Sequence, residues 1–335
     1  MAQTLYRWHI GRLGKTCNSI PSMALRTWLI ILATMLFGAA CTTQGGSVSA
    51  ARSVFDVRRG HFVDESALIA LLTRERFVLL GEKHDNPEHH RLRAELIGQI
   101  AHSGRRPALV FEQFDLGNDA ALVAAQRSPI DAEELADAGK LDRRAWLWPM
   151  HKPLLQEALE LGLPIRAGNA STAALEPVIR RGELSVDPRW VSRLSAAAWT
   201  EQQSESMQRE IAESHCNQLP ASLVPRLALA QRVRDAAMAQ ALLDDATADG
   251  AILLAGDGHV RRDLGVPVYL PPADAQETIS IGFVETTPQA RARADFPRAV
   301  LADHPGFDYL WFTDKVDRGD PCEAMQTLHR APAAK

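Results

Sequence analysis

No Asp or Glu occurs before Asp56, and Arg7, Arg12, Lys15 and Arg26 leave the leader wholly basic. Long apolar runs are missing there too. The stretch from Trp28 to Ala40 is broken only by Thr34 and falls short of the about 20 residues that a membrane span needs. It has the length of a signal-peptide h-region instead. The chain has no basic excess, with a formal net charge of −4, which argues against nucleic acid as a partner. Familiar catalytic signatures are absent as well. There is no His-Glu-x-x-His, no Cys-x-x-Cys-His and no Gly-x-Ser-x-Gly, so none of the chemistries those motifs carry is implied.

What is present begins with the end of the apolar run, Leu36-Phe37-Gly38-Ala39-Ala40-Cys41. Small residues directly before a cysteine match a lipobox, in which the thiol is acylated and the cysteine becomes the new N-terminus. An ordinary cleaved signal also favours small residues at its cut site. The expectation is a lipoprotein signal over residues 1–40 with Cys41 as the lipidation site. A start at Met23 leaves a compact leader with Arg26 as its n-region. Thr42 after the cysteine points to the outer membrane, with the domain facing the periplasm. Gly11-Arg12-Leu13-Gly14-Lys15-Thr16 mimics a phosphate-binding loop but has two residues between its glycines where four are needed.

Residues 41–53 read as a Gly/Ser/Thr tether. An α/β domain is expected over 54–320 and a short tail over 321–335. Strands are expected at Phe77–Leu80, Ala108–Glu112, Leu163–Ala167, Ala251–Ala255, Val266–Leu270, Thr278–Val284 and Asp308–Phe312. Most are unbroken apolar runs, as strands covered on both faces are. With helices between them, they imply a mainly parallel sheet flanked by helices. About 188–248 the rhythm breaks into an all-helical insertion suited to a lid or an interface. On its last helix Arg234 falls among Leu227, Ala230, Met238 and Ala241. A charge on an apolar stripe needs a partner, either a structural carboxylate or an anionic ligand. Cys216 and Cys322 form one possible disulfide in an oxidising compartment, which sequence alone leaves open.

Ligands of parallel α/β sheets bind at the carboxyl ends of strands, and several strands here end in polar groups. One runs into Gly81-Glu82-Lys83-His84-Asp85, another ends at Glu112, and a third runs into Gly256-Asp257-Gly258-His259. A fourth ends at Gly168-Asn169. The glycines are expected to let the backbone turn where the strands stop. Glu82, His84, Glu112, Asn169 and His259 are therefore expected to converge as a catalytic or ligand-binding rim. Asn86 fits a helix N-cap with Pro87 at the first helical position. His89 then shares a face with Leu92, Leu96 and Ile100, while His90 is expected at the surface. Asp85 is expected to orient His84. His151, after an aromatic loop, and His215, beside Cys216, are further candidate ligands.

These residues resemble the ChaN family of haem-binding uptake lipoproteins, within the superfamily that includes Tiki proteases, TraB proteins and erythromycin esterases. The similarity lies in Val78–His90, Phe111-Glu112-Gln113-Phe114, His215-Cys216, the Arg234-Asp235-x-x-Met238-Ala239 run and Gly256–Pro267. It spans roughly Val54 to Asp314. The resemblance implies haem binding in iron uptake, with a homodimer as one way to enclose the haem. It also implies an axial ligand among His151, His215, His304, Tyr269 and Tyr309, with Arg234 near the cofactor. The alternative from the residues is a hydrolase built on Glu82, His84, Glu112 and His259, acting by a histidine base or through a divalent metal.

Overall fold

The computed structural model describes residues 53–286, 293–301, 306–320 and 322–323. The leader, Cys41, His304 and the tail beyond residue 323 lie outside the described residues. Eight strands form one sheet: β1 Ser53–Asp56, β2 His61–Val63, β3 Phe77–Glu82, β4 Ala108–Asp115, β5 Ile165–Asn169, β6 Ala251–Gly256, β7 Thr278–Glu285 and β8 Tyr309–Thr313. Their order is β2-β1-β8-β7-β3-β6-β4-β5. From β8 to β5 neighbouring strands are parallel, while β1 runs antiparallel to both β2 and β8. The fold is α/β.

The central strands are apolar up to their carboxyl ends because both of their faces are covered. Phe77, Leu79, Val110 and Leu253 face one layer, with Ala230, Val233, Ala237 and Met238 of helix Val224–Asp244. Val78, Leu80, Leu109 and Phe111 face the other, against Leu92, Leu96 and Ile100 of helix Pro87–His102 and Leu154 of helix Lys152–Glu160. The alanines of helix Val224–Asp244 let it lie close over β4, β5 and β6. Asn86 caps helix Pro87–His102 by accepting the Glu88 N–H at 3.0 Å.

Two sequence expectations fail locally. Val266–Tyr269 is a 3-10 turn rather than a strand. Pro267 has no N–H to give a ladder and suits a first helical turn, while Val266 and Tyr269 are buried by tertiary packing instead. The short antiparallel pair β1 and β2 was not foreseen, since strands of three or four residues leave almost no periodicity to read. Between β5 and β6 lie the helices Thr172–Arg181, Pro188–Ala196, Glu201–Ser214 and Val224–Asp244. Cys216, just past Glu201–Ser214, is disulfide-bonded to Cys322. No helix among the described residues is long and apolar enough to cross a membrane.

Candidate functional site

The carboxyl ends of β3, β4, β5 and β6 place Glu82, Glu112, Asn169 and Gly256 along one edge of the sheet. His84 follows β3, and His259 lies in the short helix Asp257–Val260 after β6. The rim expected from the sequence is thus assembled, but as two linked clusters rather than one.

The first cluster surrounds Glu82, whose side chain is fully buried. Its Oε1 lies 2.6 Å from His84 Nδ1, 3.7 Å from His151 Nε2 and 3.7 Å from a guanidinium nitrogen of Arg93. Burial alone would push the Glu82 carboxyl up. Arg93 and His84 outweigh it and hold it well below the ordinary carboxylate range. Burial likewise opposes charge on His84, yet the Glu82 bond lifts its pKa to about 9. The His84 side chain is nevertheless 43% exposed, so the cluster opens outward through it.

Arg93 itself is buried and donates to the Leu80 carbonyl at 3.3 Å and to His90 Nδ1 at 2.9 Å. That leaves Nε2–H of His90 to donate to the His84 carbonyl at 3.0 Å. His90 is therefore a buried neutral bracket, with its pKa lowered to about 3 by burial and Arg93. The expected surface placement is wrong because Arg93, one turn further on, needs an acceptor inside. His89 is buried as well, accepting the Lys83 N–H and bonding Thr313 Oγ1 at 2.8 Å. Asp85 does not orient His84. It pairs with Arg318 at 2.7 Å, and Glu82 takes the orienting role.

The second cluster is centred on His259. Its Nδ1 donates to Asp235 Oδ1 at 2.6 Å, and its Nε2 lies 3.1 Å from Glu112 Oε1. Glu112 Oε2 also accepts the Gly256 N–H at 2.7 Å. Burial disfavours an imidazolium, but Glu112 and Asp235 together raise His259 to about 10. One cation neutralises one carboxylate fully. Glu112, with its backbone donor, falls to about 2. Asp235 carries the cost of burial and rises to about 6. As an imidazolium, His259 has no lone pair with which to take a proton.

The two clusters meet at Gly256. A methyl group there would stand 3.1 Å from His84 Cε1 and 3.7 Å from Glu112 Oε2. Gly81 plays the matching part under the other motif, where a side chain would strike Val260 and come 2.9 Å from the Asp257 α-carbon. Neither glycine makes the expected turn. Both sit inside strands, Gly81 opposite Ala255 and Gly256 opposite Glu82, and each clears room for the residues of the other motif.

The remaining candidates are scattered. Asn169 is buried on the rim with its Oδ1 unpartnered. Arg234 is half-buried beside Asp115 and Asp235, whose carboxyls burial raises against the smaller opposing pull of its charge. Among the described residues it makes no ion pair, so the structural salt bridge is not there, and its Nε is buried without a partner. Tyr269 is buried, its hydroxyl accepts from Arg232 at 3.0 Å, and burial pushes its pKa up. Tyr309 begins β8 and so lies at the opposite end of the sheet. His215 bonds the Ile211 carbonyl at 2.7 Å at the end of its own helix. His151 joins the rim through the loop Trp146–Met150, and the Trp146 ring stands edge-on to His84 at 5.1 Å. Asp235 and Arg93 were missed. Arg93 carried a signal, a charge on the apolar stripe of Leu92, Leu96 and Ile97.

A family model described as haem-binding uptake, Tiki superfamily, ChaN, matches residues 68–270. No curated protein matches the chain well enough to count as a relative. Among solved structures, ChaN of Campylobacter jejuni, described as binding heme cofacially, superposes with a TM-score of 0.60 at 17% identity. That alignment covers 77% of this chain and 95% of the other, a likeness of fold. Erythromycin esterase EreC in its open conformation matches with a TM-score of 0.38 at 15% identity over 79% and 82% of the two chains. The type III effector HopBA1 gives 0.37 at 13% over 74% and 92%. Neither of these two bears on function. The family model spans more than half of the chain and takes in the whole rim from Glu82 to His259, so the protein belongs to the ChaN family of the Tiki superfamily.

Proposed function

We propose that this protein binds haem and serves haem and iron uptake at the cell envelope. The observation that carries the reading is the family match across residues 68–270, which includes both clusters of the rim. The residues present fit the group. Haem needs a broad apolar wall beside polar groups that meet its edge and its iron. The loop Trp146–Met150 supplies the wall, with Leu147 exposed and the two tryptophan rings half-buried. The partly exposed ring of His84 stands at its foot, and the unpartnered Nε of Arg234 suits a propionate. A second copy of the chain closing over the exposed loop would complete the enclosure, which makes a homodimer part of the proposal.

The placement rests on the leader, on Cys41 as the lipid-bearing residue and on Thr42 after it. The Cys216–Cys322 disulfide supports an oxidising compartment, in keeping with a periplasm-facing protein on the outer membrane. The test is a titration of the purified protein with hemin. A saturable Soret shift at low micromolar hemin is expected, weakened at least tenfold by Leu147→Asp. Hemin binding no tighter than to an unrelated acidic protein would remove the reading. In cells, Cys41→Ala should move the protein from the membrane to the soluble periplasmic fraction.

A further inference from the structure

The hydrogen bonds of His151 fix its tautomer. Its Nδ1 lies 3.0 Å from the Trp146 carbonyl oxygen, which can only accept. Nδ1 therefore carries the proton, and Nε2 keeps a bare lone pair. That nitrogen is buried, has no hydrogen-bond partner and faces Glu82 Oε1 across 3.7 Å. Oε2 of Glu82 is buried and unpartnered too. Oε1 is held by His84, but the buried Nε2 and Oε2 have lost their hydration and gained nothing in return. A direct bond is not the remedy, since 3.7 Å is too long for one. Something positive or proton-bearing belongs between them.

His84 completes the set. Its Nδ1 sits 2.6 Å from the same Glu82 oxygen, and ligand atoms of Glu82, His84 and His151 all lie within 4.8 Å of one another. We propose that these three residues hold a single divalent transition-metal ion of the zinc class, with one coordination position left open. Ligands at about 2.0–2.1 Å in tetrahedral geometry stand roughly 3.3 Å apart. The observed separations of 2.6 and 3.7 Å straddle that value, so each side chain need shift by less than about 1 Å. The ion takes the place of the Nδ1 proton of His84, which leaves to solvent.

The surroundings limit the site to these three. His90 spends Nδ1 on Arg93 and Nε2 on the His84 carbonyl. His259 and Glu112 are consumed by each other, by Asp235 and by the Gly256 N–H. The Trp146 carbonyl orients His151 from behind, as the outer partners of metal-bound imidazoles do. The open position faces the exposed side of His84, which is also the way in. Chemistry also selects the ion. Calcium and magnesium want several oxygen ligands, and this site has one carboxylate, two imidazoles and the Arg93 guanidinium behind. A nitrogen-rich set of that kind suits zinc, cobalt or ferrous iron.

The proposal does not depend on haem, and the experiment uses haem-free, chelator-treated protein. Titration with Co2+ is expected to give a visible band of a four- or five-coordinate ion that saturates at one equivalent and is displaced by Zn2+. His84→Gln, Glu82→Gln and His151→Gln should each weaken binding at least tenfold, while exposed His61→Gln should not change it. His84 is partly exposed, so that variant serves if the buried ones fold poorly by circular dichroism. No stoichiometric band, or a band that survives His84→Gln unchanged, overturns the proposal. Hemin affinity measured on the same metal-free samples shows whether the haem reading stands or falls separately.

Discussion

His259 and Asp235 are joined by a 2.6 Å hydrogen bond that ties the loop after β6 to helix Val224–Asp244. The charge this bond and Glu112 keep on His259 makes stability depend on pH. The folded pKa of about 10 stands above the ordinary imidazole value of 6.5. Its stabilising contribution is whole below 6.5 and is lost as pH rises through about 10. His84, raised to about 9, acts in the same direction. His89 and His90 act in the opposite sense, lowered to about 4 and about 3. Their contribution is whole above 6.5 and is lost as pH falls towards those values. Urea midpoints are expected to peak near pH 6.5 and to fall at pH 4.5 and 9.5. Asp235→Asn removes one of the two carboxylates, so the alkaline fall should be smaller and should end at lower pH. Equal midpoints at pH 6.5 and 9.5 would contradict the assignment.

Arg93 and Glu82 form the other buried charge pair, 3.7 Å apart with neither side chain exposed. Removing Arg93 leaves Glu82 with the partly exposed His84 as its one cationic partner, and breaking a buried pair of this kind costs about 3–5 kcal/mol. Arg93→Met is therefore expected to lower the urea midpoint sharply. The double variant with Glu82→Gln should recover part of the loss, because the stranded carboxylate is gone. An additive double variant would show that the pair does not interact.

How much of this was legible in the sequence follows from where each residue lies. Glu82, Glu112, Asn169 and His259 could be read because unbroken apolar strands stop at polar groups, and parallel strands gather such ends on one edge. Helical partners are harder, since periodicity gives the buried face but not the strand beneath it. Asp235 was not legible because its partner, His259, comes from the loop after β6, and nothing on the helix itself shows what lies opposite. The place of His151 depends on how the loop Trp146–Met150 folds back to Glu82, which no local pattern encodes. His90 was misplaced because its neighbour in the helix, Arg93, was not recognised as buried. The glycines were recognised, but for the wrong reason. Turning needs φ freedom, whereas the two motifs need absent side chains at a crossing of two strand ends.

That crossing separates two substitutions that look alike in sequence. Gly81→Ala places a methyl group against Val260 and 2.9 Å from the Asp257 α-carbon. Backbone cannot swing aside as a side chain can, so the loop carrying His259 must move. Overpacking of this kind costs about 1–3 kcal/mol. Gly256→Ala meets the ring of His84 instead, 3.1 Å from Cε1, and that ring has solvent on its outer side. It can tilt, so the fold should lose less than about 1 kcal/mol. The tilt draws Nδ1 away from Glu82, and the consequence should be local. Urea midpoints are expected to fall clearly for Gly81→Ala and little for Gly256→Ala. The pKa of His84, followed by NMR of its ring, should drop from about 9 in Gly256→Ala as the Glu82 bond lengthens. If Gly256→Ala leaves that pKa unchanged, the glycine is not what seats His84 against Glu82.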